Sequence, residues 1–351
     1  MNKRKPKAVG ARAPRTARRA NIHDLSRLTG VSIGTVSRVF NYRPDVSEKT
    51  RRAVFEAASR LGYHPNPSAR RLSRGHCEQV GLLLPGLGNP FYAELVEAIE
   101  RAVRARGLRL LISLHEEKGP LFAEHLRFFG SGEVDGLLVI PPESPDSGVP
   151  LTQAMTSLRV VSLKHHSWCR TPAVEVDDFE AGRALGGALR GLGYRKIAYV
   201  GCTAQPEADH QRREGMESAL RTNGDDLVKV FPSRPESTLA SGRRLAAEFA
   251  ALGATERPEA IACFSDILAL GLIGGLQQAG LPCPQHVGVA GFDDIPLASE
   301  YLLPLTTVRI PVGELAETAL KVLLDAPAAS RPVVRRVPSE VILRASTPPR
   351  A

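Results

Sequence analysis

Asn21-Ile-His-Asp-Leu-Ser-Arg-Leu-Thr-Gly-Val-Ser-Ile-Gly-Thr-Val-Ser-Arg-Val-Phe-Asn41 is the stretch on which the fold turns. Asn21 with Asp24 three residues later is a capping-box-like helix start. Ile22, Leu25 and Leu28 follow at helical spacing, and Gly30 breaks the helix. Ser32 is a good N-cap for a second helix with Val36, Val39 and Phe40 as its apolar positions. So short a connection is the helix-turn-helix spacing. Ser47 caps a third helix with Val54, Ala57, Ala58 and Leu61 turned inward, closed by Gly62. A three-helix unit is expected over 21–66.

The charge of the 351-residue chain is divided unevenly. Residues 1–76 hold 18 Lys/Arg against 4 Asp/Glu, a net +14, while the remainder carries −5. A positive block on a mildly acidic protein points to a polyanion contact at one end, or to a solvated basic tail. Residues 1–20 are basic, proline-bearing and poor in apolar side chains, so a disordered extension is expected there. Residues 67–78, with Arg70, Arg71 and Arg74, read as a linker able to form a short helix.

From residue 79 short apolar runs alternate with amphipathic helical stretches. Runs at 80–84, 108–114, 136–140, 159–163, 173–176, 196–200, 227–231, 260–264 and 287–290 read as buried strands. Helical patterns separate them, including 91–106, 121–129, 151–158, 179–192, 212–222, 239–252 and 267–279. That alternation means parallel sheets covered on both faces. About ten strands suit two smaller sheets better than one, and the region of Asp177 is the natural crossing between them. Gly186-Gly187 and Gly274-Gly275 fall inside helical patterns and read as close packing sites. The five cysteines are unpatterned, which fits free thiols in a reducing compartment better than disulfides or zinc. With neither a secretory signal nor an apolar run of membrane-spanning length, a cytoplasmic protein is expected.

The quoted stretch closely resembles the headpiece signature of the LacI/GalR (lactose-repressor) family of transcriptional regulators. Pro44-Asp-Val-Ser-Glu-Lys-Thr-Arg51, Leu61-Gly-Tyr-His-Pro-Asn-Pro-Ser-Ala-Arg70, Gly81-Leu-Leu-Leu-Pro85 and Asn89-Pro-Phe-Tyr-Ala-Glu-Leu95 continue the resemblance in order. Val289-Ala-Gly-Phe-Asp-Asp-Ile-Pro-Leu297 and Leu305-Thr-Thr-Val308 extend it toward residue 347. It implies a fold of α plus α/β class: a helix-turn-helix headpiece at 21–66 and a hinge at 67–78. A periplasmic-binding-protein-like body of two doubly wound parallel-sheet subdomains would span 79–347. The first subdomain is expected at about 79–174 plus 307–324, the second at about 175–304 plus 325–345.

The resemblance implies an allosteric repressor that binds a pseudo-palindromic double-stranded operator as a homodimer and answers to a small sugar-like effector. The second helix would enter the major groove with Ser32, Ile33, Gly34, Thr35 and Arg38 at its reading end. Ile33 and Gly34 match the family's main base-selecting positions, yet Ile33 offers only a methyl contact and Gly34 only room. Arg38 is then the best candidate for a bidentate guanine contact. Thr35, Ser37, Asn41 and Tyr42 suit phosphate. Leu72 matches the leucine wedged into the minor groove at the operator centre, and Ala69 keeps its helix slim.

In the body, Asn89 and Phe91 match the first-strand effector loop, Arg212 the family's effector-binding arginine, and Asp293 its hydroxyl-binding aspartate. The chain departs from the family pattern at Lys164-His165-His166, at Asp178 and at Ser265. Lys164, His165 and Arg212 in one cleft would favour an anionic effector such as a sugar acid; the two histidines equally suit an exposed loop or a packed pair. Ser265 is included among the effector-binding candidates. No catalytic residue, cofactor or metal site is singled out, and no membrane contact. A nucleophile elbow, a phosphate loop and a dinucleotide-binding glycine motif are missing from the sequence. The C-terminus lacks a heptad tail, so a dimer is expected rather than a tail-built tetramer. A sugar-binding protein without DNA function is the competing reading.

Overall fold

The computed structural model describes residues 20–63, 76–116, 120–143, 158–166, 168–222, 224, 227, 229–325 and 333–350. The chain divides into two compact units, Met1–Cys77 and Glu78–Ala351. Residues 1–19 of the expected basic extension, the hinge residues Ala69 and Leu72, and residues 151–157 of the expected helix lie outside the described residues.

Three helices build the first unit: α1 (Ile22–Thr29), α2 (Ile33–Phe40) and α3 (Glu48–Leu61). The Asn21 carboxamide accepts the amides of His23 and Asp24, and the Asp24 carboxylate accepts the Asn21 amide in return. Two of the orphan amides of the helix start are thereby satisfied. Gly30 and Gly62 end α1 and α3 in the left-handed region, at φ 72° and 57°. Leu25, Val36, Val39, Val54, Ala57 and Ala58 form the core, flanked by Ile22, Val31, Phe40, Phe55 and Tyr63. Leu28 and Leu61 are corrected: both are exposed, at 53% and 38%. A three-helix unit this small has too little interior to bury every apolar side chain on its helices.

The second unit contains two six-stranded sheets among the described residues. β1 (Gln79–Pro85), β2 (Arg109–His115), β3 (Gly136–Val139), β4 (Arg159–Ser162), β5 (Ala173–Val176) and β11 (Val334–Val337) make the first, in the order β11-β5-β4-β3-β1-β2. Every pair in it is parallel. The second holds β6 (Ile197–Cys202), β7 (Lys229–Arg234), β8 (Ala260–Cys263), β9 (Gly288–Asp293), β10 (Thr306–Arg309) and β12 (Glu340–Ile342), in the order β12-β10-β9-β8-β6-β7. Only β12 runs antiparallel.

The helices are α4 (Pro90–Ala105), α5 (Leu121–Phe128), α6 (Asp178–Gly191), α7 (Pro206–Thr222), α8 (Leu239–Ala250), α9 (Asp266–Gln278), α10 (Pro296–Glu300) and α11 (Val312–Asp325). Successive strand residues point to opposite faces, so each sheet feeds two cores. Leu82, Leu84 and Leu138 pack under α4 and α11, while Leu83, Leu137 and Val139 pack on Phe122, Leu126 and Phe129. In the second sheet Val200, Ile261 and Val289 meet α8 and α9, and Tyr199, Ala262 and Phe292 meet α6 and α7.

The chain crosses between sheets where expected, after Val176. The expected return segments are corrected at two strands, while α11 packs on the first sheet and β12 pairs in the second. Residues 306–309 belong to the second sheet, where β10 pairs with β9, and 334–337 belong to the first, where β11 extends β5. β5 also places residues 175–176 in the first sheet. Strands of three or four residues carry too short an alternation to announce their sheet; backbone pairing decides it. Of the glycine pairs, only Gly186 and Gly275 meet a neighbouring helix, while a Cβ on Gly187 or Gly274 would find open space. The closest approach lies elsewhere. A Cβ on Gly182 would sit 2.0 Å from the Arg212 carbonyl oxygen, and one on Gly215 2.0 Å from that of Phe179. These glycines let α6 and α7 touch backbone to backbone.

Candidate functional site

Two sites emerge, one in each unit. In the first, Val36 and Val39 bind α2 to its core, so the opposite face is free. Ser32 caps α2 by accepting the Thr35 amide at 3.1 Å. Its hydroxyl also lies 3.0 Å from that of Thr35. Ile33, Gly34 and Arg38 are exposed, and Ser37 is half-buried. The pairs Ile33/Ser37 and Gly34/Arg38 stack one turn apart, which sets them on one face. Asn41 ends α2, and its amide nitrogen donates to the Ser37 hydroxyl at 3.5 Å. Tyr42, 70% exposed, has φ 53° and its ring lies 6.2 Å from that of Phe55. The structure thus brings Ser32, Ile33, Gly34, Thr35, Ser37 and Arg38 together on and beside one helix, with Asn41 and Tyr42 at its far end. Arg38 donates to Asp45 of the α2–α3 loop, a partner the sequence reading did not supply.

In the second unit a cleft opens beyond the carboxyl ends of strands of both sheets, where ligands of open parallel sheets bind. Its empty space, with the open solvent at its mouth included, is about 680 Å³. Asn89, Phe91, Tyr92, Lys164, Arg212 and Asp293 are on its wall. Glu175, Asp178, Gln205 and Phe264 complete the part of the lining that matters for chemistry.

Arg212 anchors the site. The start of α7 at Pro206, six residues before the expected one, puts Arg212 in mid-helix, and Gly182 lets α6 come close enough for Asp178 to reach it. Its Nε donates to the Asp178 carboxylate at 2.7 Å and its NH1 to the Phe264 carbonyl at 2.6 Å. The guanidinium lies between the rings of Phe264 and Phe292, 4.6 and 4.5 Å from their centroids. Burial would weaken the charge, but the adjacent carboxylates Asp178 and Asp293 outweigh it and hold the proton on.

Asp293 ends β9 with φ 112° and is buried. It accepts the Asn89 carboxamide at 3.1 Å, a bond between residues 204 apart that joins the two sheets' halves across the cleft. Desolvation pushes its pKa up to about 7, against the opposing pull of Arg212 and the Asn89 hydrogen bond. Asp266, buried at the start of α9, is raised as well, chiefly by burial and then by Asp293. It accepts the Thr307 hydroxyl at 2.5 Å and the Ile295 amide at 3.0 Å.

Two expected effector residues are placed elsewhere. His165 is not on the cleft wall; its amide donates to Glu175 at 2.9 Å. Ser265 is buried as the N-cap of α9, accepting the Leu268 amide and bonded to Ser237. A serine preceding an aspartate at a strand-to-helix turn is spent on capping. Lys164 does reach the cleft, but its ammonium is paired with Glu143. His166 is the packed member of the histidine pair. Its ring stacks on Trp168 and its Nδ1 lies 3.1 Å from Glu207 of α7, a second link across the cleft. Desolvation, then the charges of Lys164 and His165, lower its pKa to about 3.

Tyr92, Glu175 and Gln205 are additions to the expected lining; Tyr92 lies within the motif Asn89–Leu95, but Gln205 carries no signal in the sequence. Asp178 was legible only as a departure beside Asp177. Among the described residues no group of three His, Cys, Asp or Glu side chains is arranged to hold a metal ion, and no helix is long and apolar enough to cross a membrane.

Residues 21–66 match the model of the lacI family of bacterial regulatory proteins, and 187–347 that of the periplasmic binding protein-like domain. The HTH-type transcriptional repressor PurR of Erwinia tasmaniensis is 32% identical over 311 residues, 87% of this chain and 90% of the relative. The lac repressor dimer bound to operator and the anti-inducer ONPF shares the fold at TM-score 0.81 and 23% identity, over 94% of this chain and 99% of that one. A complex of the transcriptional regulator CelR with cellobiose has TM-score 0.67 and 25% identity, over 93% and 100%. The chain therefore belongs to the lacI family of bacterial regulatory proteins, as a DNA-binding transcriptional repressor with a periplasmic-binding-protein-like ligand-binding body.

Proposed function

We propose that the chain is a homodimeric cytoplasmic repressor of a pseudo-palindromic operator, released or engaged by a small neutral polyhydroxylated effector of sugar type. The observation that carries the effector class is the pairing of both cations on the cleft wall, Lys164 with Glu143 and Arg212 with Asp178. An anionic ligand would have to compete with carboxylates already in place, beside Glu175 and Asp293. A neutral polyol meets fixed acceptors and donors instead: Asp293, Asn89, Gln205 and the outer edge of Arg212, with Phe91 and Tyr92 as apolar faces. The pairing of Lys164 with Glu143 and the place of His165 off the cleft wall weigh against an anionic effector. Cellobiose in the CelR complex supports the same class.

On the DNA side, Arg38 contacts a guanine edge, Ile33 a thymine methyl, and Thr35, Ser37, Asn41 and Tyr42 the backbone, with Ala69 and Leu72 at the operator centre. The cleft spans both halves of the body, so ligand occupancy biases their hinge and through it the spacing of two headpieces. The reading entails no turnover. The five free thiols fit a reducing compartment.

The test is a thermal-shift and calorimetric panel of neutral sugars, sugar acids, sugar phosphates and nucleobases, followed by gel shifts on the upstream region of its own gene. Neutral sugars should raise the melting temperature with concentration and alter the gel shift. Stabilisation by anionic ligands alone would reject the effector class. Specific DNA binding by a chain lacking residues 1–75 would reject the headpiece assignment.

A further inference from the structure

Between Gly30 and Ser47 the chain carries one acidic residue, Asp45, on a surface otherwise suited to a polyanion. A carboxylate there costs binding energy to every phosphate within a Debye length. Asp45 is not a core or capping residue; its side chain is 47% exposed and its described bond runs to the NH2 of Arg38, seven residues earlier. Arg38 in turn is 60% exposed on the face of α2 that also holds Gly34. A Cβ on Gly34 would meet nothing closer than the Ser32 hydroxyl at 3.7 Å. Helical side chains lean toward the N-terminus. The guanidinium therefore has an open path over Gly34 toward the reading end of α2, and a competing anchor behind it at Asp45.

We infer that Asp45 is a specificity-determining residue: it holds Arg38 so that the guanidinium exchanges this partner only for a base edge offering two acceptors. A guanine, with O6 and N7, replaces the lost ion pair with two hydrogen bonds. A base with one acceptor replaces it with one, and a phosphate, although two of its oxygens can take the guanidinium fork, brings a second negative charge up to the unpaired Asp45. Arginine without the counter-ion would settle on phosphate and bind more sequences. Ile33 and Gly34 offer no hydrogen-bonding side chain, so the selectivity of α2 depends heavily on this conditional contact. The inference rests on the proposed role of Arg38 as the guanine reader.

The test uses the full chain. Duplexes are selected from a randomised pool with the unsubstituted protein, and affinities are measured on the selected site and on versions changed one base pair at a time. The proteins are the parent, Asp45→Asn, Asp45→Ser, Arg38→Ala and Arg38→Ala/Asp45→Asn. Removing the Asp45 charge should tighten binding to all duplexes. At the base pair where Arg38→Ala loses preference, it should also lower the preference by about two- to fivefold, the scale of one exposed ion pair. In the Arg38→Ala background the effect on preference should vanish and only the uniform tightening remain. Unchanged preference in both Asp45 variants, with preference lost in Arg38→Ala, would overturn the inference and leave the guanine-reader assignment standing. Unchanged preference at every base pair in Arg38→Ala would overturn both.

Discussion

Replacing Arg212 by Met tests whether the guanidinium is the keystone of the cleft. Met fills the space between Phe264 and Phe292 and keeps a favourable sulfur–aromatic contact, so the change is chiefly one of charge and hydrogen bonding. Two bonds are lost, to Asp178 at 2.7 Å and to the Phe264 carbonyl at 2.6 Å. Asp178 is left as a largely buried carboxylate without its partner, its side chain 19% exposed. Breaking a buried pair from one side costs about 3–5 kcal/mol. A native domain is stable by about 5–15 kcal/mol, so the variant should fold and be measurably weaker. The assay is urea unfolding followed by tryptophan fluorescence. Trp168 is the sole tryptophan of the chain and belongs to the body, so headpiece unfolding is silent. Arg212→Met/Asp178→Asn should be less destabilised than the sum of its two single variants, with a coupling of at least about 1 kcal/mol, inside the range for directly bonded residues. A cost below about 1 kcal/mol for Arg212→Met, or strictly additive singles, would refute the assignment of Arg212 as a paired, buried anchor.

Three further outcomes are expected. Asp293, raised to about 7 by burial from an ordinary 3.8, holds its proton more tightly in the native state; its contribution is present below pH 4 and lost as pH rises through 7. Asp293→Asn should flatten that loss in urea midpoints taken between pH 4.5 and 7.5, leaving the part due to Asp266. His166 runs the other way, since burial lowers it from 6.5 to about 3: stability present above pH 6.5 is lost as pH falls toward 3. His166→Gln should blunt acid unfolding between pH 6.5 and 4, and an unchanged acid limb would contradict the buried neutral imidazole. Gly215→Ala places a methyl 2.0 Å from the Phe179 carbonyl and should cost about 1–3 kcal/mol or more, whereas Gly187→Ala meets open space and should stabilise α6 by about 0.5–1 kcal/mol. Thermal melts of the pair separate helix contact from helix propensity.

Local chemistry made much of the molecule legible. The Asn21/Asp24 capping box, the Ser32 and Ser47 caps and the Gly30 and Gly62 stops act within a few residues, so they can be read from spacing and are found as read. The apolar runs that became β1, β3, β4 and β6 are continuous because these strands are buried on both faces, whereas β2, at the sheet edge, leaves Ile112 and Leu114 exposed. The last three strands escaped that reading: β11 begins with three exposed residues, Val334, Arg335 and Arg336, and β12 has none that is fully buried. Leu28 and Leu61 look like core by period alone and are exposed, because period sets a face and not what covers it.

The sequence by itself determined the headpiece and the alternating body, which depend on short-range caps and periods, and its family motifs singled out Asn89, Arg212 and Asp293, three groups of the cleft wall. Tertiary structure decided what those groups do to one another. Asn89 meets Asp293 across 204 residues, Asp178 neutralises Arg212, Glu143 takes Lys164, and Ser265 turns inward as a cap while His165 stays off the cleft wall. A carboxylate's partner is fixed by distance in space, and only the packing of α6 on α7 and the juxtaposition of the two sheets set those distances. Lys164 and Arg212, the two cations of the cleft wall, are therefore already paired in the fold.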